Sequence, residues 1–121
     1  MKLILNNLKD TKKFGKKLAQ ISKPDEIFCL KGNLGSGKTT IARAFINHFT
    51  KNDNIISPTF PMLITYEYKN NIIWHYDMYR LDNPSDVWNL SLEEALNNGI
   101  ILIEWPEIIE HLLPNKKLDI I

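Results

Sequence analysis

A single cysteine, Cys29, stands in the 121 residues, so no intrachain disulfide can form, and the chain reads as one suited to the cytoplasm. An excess of one charge sign is missing too. Fifteen Lys and Arg face fourteen Asp and Glu, a formal net charge of +1. Bulk electrostatics then predicts neither nucleic-acid nor membrane binding. No apolar run approaches the length of a membrane span. The stretch Met1-Lys2-Leu3-Ile4-Leu5 is too short in apolar residues for a signal peptide. Internal repeats, linkers and low-complexity tracts are absent, and the reading is one domain over 1–121. The apolar share, 44%, is ordinary for a globular protein. A chain of this size buries about two-thirds of its unfolded surface, enough for one core. Cys29 lies in the apolar run Ile27-Phe28-Cys29-Leu30 and reads as a buried, inert thiol.

That run is followed by Gly-Asn-Leu-Gly-Ser-Gly-Lys-Thr at 32 to 39, which fits G-x-x-x-x-G-K-[ST], the phosphate-binding P-loop. Helical apolar spacing at Ile41, Phe45 and Phe49 comes next, so the motif has its strand–loop–helix context. Gly32, Gly35 and Gly37 permit backbone angles that side chains forbid and let the chain approach an anion. The backbone from Asn33 and Leu34 through Gly35, Ser36 and Gly37 to Lys38, Thr39 and Thr40 is the expected nucleotide cradle. Its amides point at phosphate oxygens, and the positive end of the helix dipole faces them. Lys38 supplies a full charge for the β- and γ-phosphates. The Thr39 hydroxyl is placed for Mg²⁺, which prefers hard oxygen ligands. Thr40 either bonds the α-phosphate or simply starts the helix.

Coarse patterning fills in the rest. Met1 to Leu5 reads as an edge strand. Asp10 to Ser22 reads as a helix with Asp10 as N-cap and Phe14, Leu18 and Ile21 on one face. Lys9, Lys12, Lys13, Lys16 and Lys17 cluster on the other face, as a solvated surface or a contact for an acidic partner or RNA. After the P-loop helix comes a polar turn, 51 to 54, then the stiff segment Ser57-Pro58-Thr59-Phe60-Pro61. Met62 to Tyr68 and Ile72 to Met78 read as an antiparallel hairpin. Asp82 to Ser85 opens a short helix. Ser91-Leu92-Glu93-Glu94 reads as a capping box for another, closed at Asn97-Asn98-Gly99. Ile100 to Ile103 is a buried strand, Glu107 to Leu112 a helical stretch and Leu118 to Ile121 a last strand.

Hydrolysis or transfer of a phosphoryl group needs acids that hold Mg²⁺ and orient the nucleophile. Two apolar strands end in one: Ile100-Ile101-Leu102-Ile103-Glu104 and Ile72-Ile73-Trp74-His75-Tyr76-Asp77. In open α/β sheets ligands bind beyond the carboxyl ends of strands, where both acids would stand. Thr59 lies on the loop that would pass the γ-phosphate. His75 shares a strand face with Asp77, as a core histidine or as its prop. Arg80 is read as a phosphate contact or the partner of an acid.

Four blocks in this order resemble the TsaE family (older name YjeE): Gly-Asn-Leu-Gly-Ser-Gly-Lys-Thr-Thr at 32 to 40, Ser-Pro-Thr-Phe at 57 to 60, His-Tyr-Asp-Met-Tyr-Arg-Leu at 75 to 81 and Glu-Trp-Pro at 104 to 106. Thr-x-x-Phe-Gly at 11 to 15 and Leu-Pro at 113 to 114 extend the resemblance over nearly the whole chain. It implies a single α/β P-loop NTPase-like domain around a mixed, mostly parallel sheet flanked by helices, with an antiparallel hairpin. It implies weak ATP hydrolysis, stimulated by TsaD and TsaB in the threonylcarbamoyladenosine modification of tRNA. The transfer itself would be done by TsaD, so tRNA would be met only indirectly. By motif position Lys38 would hold phosphates, Thr39 and Glu104 would ligate Mg²⁺, and Asp77 would be the essential acid. Thr59 would be the switch residue, Trp105 would lie beside the nucleotide and Thr11 near the adenine. Two departures stand out. Asn33 occupies a position where the family usually has an acid, and the family commonly carries more strand past Leu-Pro than ends here at Ile121. The alternatives are a small-molecule kinase, which would need an arginine-rich lid, and a nucleotide-binding adaptor without useful hydrolysis. Arg80 is the only arginine after the P-loop helix, which argues against a lid.

Overall fold

The computed structural model describes residues 8–32, 37–51, 55–114 and 117–120. The expected edge strand at Met1 to Leu5, the loop residues Asn33, Leu34, Gly35 and Ser36, most of the 51 to 54 turn and Ile121 lie outside them.

Helix α1 spans Leu8–Ile21, strand β1 Ile27–Leu30 and helix α2 Lys38–Thr50. Strands β2, Leu63–Tyr68, and β3, Asn71–Asp77, form the antiparallel hairpin expected over Met62 to Met78. A 3₁₀ segment, Pro84–Leu90, runs into helix α3, Leu92–Asn97. Strand β4, Ile100–Glu104, a second 3₁₀ segment, Pro106–Leu112, and strand β5, Leu118–Ile120, complete the order. The sheet runs β2-β3-β4-β1-β5. Among the described residues only the β2–β3 pair is antiparallel. This is the mixed, mostly parallel α/β sheet expected from the sequence.

Both faces of the central strands are covered, so β1 and β4 are continuous apolar runs. Alternate residues feed two separate cores. Phe28, Leu30, Ile73, Ile100 and Leu102 pack with Leu18 and Ala19 of α1 and Ile41, Ala42, Phe45 and Ile46 of α2. Ile27, Cys29, Trp74, Tyr76, Ile101 and Ile103 pack with Val87, Leu92, Ala95 and Ile109 on the other face. Rings of Phe28, Phe45, Phe49 and Tyr68 form a chain with centroids 5.4, 5.5 and 4.8 Å apart, tying α2 to the sheet from β1 to the edge.

The α1–α2 contact departs from expectation. The buried stripe of α1 is Thr11, Gly15, Leu18 and Ala19, whereas Ile21 is 60% exposed. Gly15 is the reason. A Cβ there would stand 2.6 Å from the Ile41 carbonyl oxygen and 2.8 Å from the Ala44 Cβ, so the helices approach at a small residue. Asp10 sits within the first turn of α1 and is not its N-cap, a position where its charge still favours the helix dipole. The capping box at Ser91 does not form. Ser91 joins the 3₁₀ segment to α3 in the left-handed conformation, φ 61°, and its side chain makes no cap hydrogen bond. A capping serine needs extended backbone angles. Asn83 does cap, accepting from the Ser85 amide at 3.1 Å.

Candidate nucleotide site

The parity of the strands decides which side chains meet. Ile73, His75 and Asp77 alternate with Trp74 and Tyr76, so His75 and Asp77 face the α2 layer. Glu104 shares parity with Ile100 and Leu102 and faces the same way. In the parallel β3–β4 ladder Asp77 pairs with Glu104 and His75 with Leu102. Two acids therefore end neighbouring strands side by side, where α2 begins.

Glu104 is 2% exposed and held at both oxygens. The Thr39 hydroxyl donates to Oε1 at 2.6 Å, and His75 Nε2–H donates to Oε2 at 2.7 Å. Burial pushes the carboxyl up, but the His75 hydrogen bond and charge, the Thr39 hydroxyl and the Lys38 charge outweigh it and hold it below its ordinary range. His75 is thus the prop of Glu104, not of Asp77. As a position-75 residue it lies one pleat back on β3, within reach of the acid diagonally across the ladder.

Asp77 is fixed from the other side. Thr59 Oγ1 donates to Oδ2 at 2.9 Å, and the Tyr79 amide donates to Oδ1 at 2.9 Å. Because the Thr59 proton is used on Asp77, Ser57 Oγ donates to Thr59 at 2.8 Å. A tight turn, with the Met62 amide bonded to the Pro58 carbonyl at 2.6 Å, delivers Thr59 to this place.

Lys38 opens α2 and is 7% exposed. Its Nζ donates to the Gly32 carbonyl at 2.8 Å and lies 4.1 Å from the centroid of the Trp105 ring. Trp105 adopts the left-handed region, φ 57°, immediately before Pro106, and its ring also meets Tyr79 at 5.0 Å. Gly37, at φ 95°, is the N-cap of α2 and brings no side-chain cap to its first amides. Thr11 is buried directly behind it: a Cβ on Gly37 would come 3.4 Å from the Thr11 methyl.

A cavity of about 380 Å³ is lined by Gly37, Lys38, Thr39, Thr40, Thr59, Asp77, Tyr79, Glu104 and Trp105. Eight residues expected from sequence for catalysis, metal or the cradle, Thr40 among them, thus meet at one place. Thr11 stands beside the loop but not in the lining. Tyr79, not expected from sequence, also lines the cavity, two residues past Asp77 in the same sequence block. Arg80 is not among the residues lining the cavity. It lies over the Phe60 ring at 5.1 Å and contacts the Phe60 carbonyl at 3.4 Å, with no ion pair among the described residues.

The residues suit a nucleoside triphosphate with Mg²⁺. The oxygen donors are all hard: two carboxylates and the Thr39 and Thr59 hydroxyls. No group of three or more His, Cys, Asp and Glu forms a metal cluster among the described residues. Mg²⁺ needs none, since it commonly takes one or two side chains with water and phosphate oxygens. The uncapped start of α2 and Lys38 suit the anion.

Fold and site together define an α/β domain with a G-x-x-x-x-G-K-T sequence between strand β1 and helix α2, and paired acids at the ends of β3 and β4. The profile of the family described as threonylcarbamoyl adenosine biosynthesis protein TsaE matches residues 5–121. The chain belongs to the TsaE family, which serves tRNA threonylcarbamoyladenosine biosynthesis. It is 53% identical over 119 residues to the tRNA threonylcarbamoyladenosine biosynthesis protein TsaE of Rickettsia felis, covering 98% of this chain and 70% of that one. Identity to the Bacillus subtilis protein of the same description is 34% over 116 residues, covering 95% and 72%. The crystal structure of Bacillus subtilis YdiB superimposes with a TM-score of 0.70 at 28% identity, covering 95% of this chain and 70% of that one.

Proposed function

We propose that the chain is a single P-loop ATPase domain of the cytoplasm, binding ATP with Mg²⁺ in the Lys38–Glu104 cavity and hydrolysing it slowly until stimulated by TsaD and TsaB. The turnover would serve tRNA threonylcarbamoyladenosine formation, with TsaD performing the transfer. The observation that carries this reading is the convergence of Lys38 and Thr39 with Asp77 and Glu104 in one cavity. Lys38, drawn off the Trp105 ring, neutralises phosphate charge. Thr39 and Glu104, already hydrogen-bonded to each other, would hold Mg²⁺. Bound there, Mg²⁺ would offset negative charge on the phosphate oxygens. Asp77, oriented by Thr59 and the Tyr79 amide, would position the attacking water. Thr59 gives the loop a hydroxyl that can leave Asp77 when phosphate arrives. Trp105 and Tyr79, packed ring against ring, line the same cavity.

The test is phosphate release measured with and without TsaD and TsaB. Stimulation by the two proteins, abolished in Lys38→Ala and Asp77→Ala, supports the reading. Unchanged nucleotide affinity and rate in Lys38→Ala would sink the site, and phosphate appearing on a small acceptor would point to a kinase instead.

A further inference from the structure

The helices separate by charge as well as by layer. α1 and α2 carry seven Lys and Arg and one acid, Asp10. On the opposite face of the sheet, α3 and the two 3₁₀ segments carry five acids, Asp86, Glu93, Glu94, Glu107 and Glu110, and no Lys or Arg. A net charge of +1 hides this division. Within the basic layer Lys9, Lys12, Lys13, Lys16 and Lys17 of α1 are all exposed, and none forms an ion pair with a described residue. At helical spacing they fill an arc of about 140° over about 12 Å, and no other residue of that stretch falls inside the arc. Like charges at i, i+3 and i, i+4 weaken a helix, so the row opposes its own folding. Its field reaches the end of α2: burial pushes the His48 imidazole down, and the charges of Lys51 and Lys16 push it further.

We propose that the lysine face of α1 docks the phosphate backbone of a structured RNA. A protein partner would want an apolar or aromatic centre with a polar rim, and lysine is depleted from such interfaces. This arc has no such centre. An anionic membrane would want an apolar face free to insert, and the apolar side of α1 is packed on α2. A phosphate backbone wants spaced point charges that release condensed counterions, which lysine supplies. Without interleaved aromatics the face stacks no bases, so it positions an RNA without reading its sequence. The acids on the far layer repel the same polyanion and so orient it toward α1. This contact is independent of the nucleotide site.

The test uses the whole chain without nucleotide and a labelled, unmodified tRNA transcript, read by fluorescence anisotropy. Binding should appear at 50 mM KCl and weaken about 40- to 500-fold by 200 mM, as three to five phosphate contacts require. Replacing four lysines together, Lys12→Gln, Lys13→Gln, Lys16→Gln and Lys17→Gln, should weaken binding at 50 mM at least tenfold and leave helix content unchanged by circular dichroism. Glu93→Gln with Glu94→Gln, which removes two repelling charges, should not weaken binding. No binding at 50 mM KCl, or binding indifferent to the four lysine changes, overturns the proposal. So does a lysine variant that keeps its tRNA affinity but loses a salt-sensitive association with a second copy or with TsaD and TsaB, since the face would then serve an acidic protein surface.

Discussion

Glu104 shows how one buried acid is made tolerable. It has Thr39 on one oxygen and His75 on the other, and the Met78 amide bonds its backbone carbonyl at 3.0 Å. Removing one partner from a buried pair leaves a charge without compensation, a loss of about 3–5 kcal/mol. His75→Leu should therefore destabilise the protein by about that amount in urea unfolding, whereas His75→Gln, which keeps an N–H donor, should recover much of it. Equal stability of His75→Leu and the parent would remove the pair from the account. The chemistry-bearing residues themselves were readable, because a Lys-Thr after a glycine-rich loop and acids at the ends of apolar runs announce their roles by type and spacing. Their pairings were not. His75 and Asp77 share a strand face, yet His75 turns to Glu104, because that choice depends on the β3–β4 register, which no local pattern encodes. Arg80 settled on Phe60 for the same kind of reason: its neighbour comes from a loop twenty residues earlier.

At the level of elements, the close contact of α1 and α2 rests on Gly15. Alanine is the better helix former by about 1 kcal/mol, so an isolated helix would gain from the change. Here the added Cβ would meet backbone oxygen at 2.6 Å, which can move only by shifting α2. Overpacking of this kind costs about 1–3 kcal/mol, and we expect it to win. Gly15→Ala should lower Tm by several degrees, and should also weaken nucleotide binding, since Ile41 lies in the first turn of α2 beside Lys38 and Thr39. A raised Tm would mean that the helices part without loss. The strands were legible as apolar runs of the right length, with turn residues at Lys69 and Asn70 between β2 and β3. Helix starts were less so. Asp10 and Ser91 have the residue type of caps, but the backbone around each is set by what precedes it: another turn of helix at Leu8, and a 3₁₀ segment ending at Leu90.

At alkaline pH the molecule responds through groups buried between the sheet and the α3 layer, where Cys29 and Tyr76 both pack. Burial pushes the Cys29 thiol from its ordinary value of 9.0 up to about 12, with the charge of Asp119 adding to the rise. Burial likewise pushes the Tyr76 hydroxyl up, with Glu94 adding, and that hydroxyl donates to the Leu90 carbonyl at 2.8 Å. In the unfolded chain the thiol sheds its proton near pH 9, while in the fold it keeps it. Between pH 9 and 12 the unfolded state therefore binds fewer protons than the native state, and stability falls as pH rises. Cys29 alone contributes a slope of up to about 1.4 kcal/mol per pH unit in that window and nothing below it. Urea unfolding at intervals from pH 8 to 11 should show this decline, and in Cys29→Ala the slope should be shallower by the share of one proton. The absolute stability of the variant is not the test, because trimming a core side chain has its own cost; the difference in slope is. Parallel declines in parent and variant would mean that the thiol ionises in the folded protein, and then the native protein would also react with a thiol reagent at pH 8, where a shielded Cys29 should react only in urea.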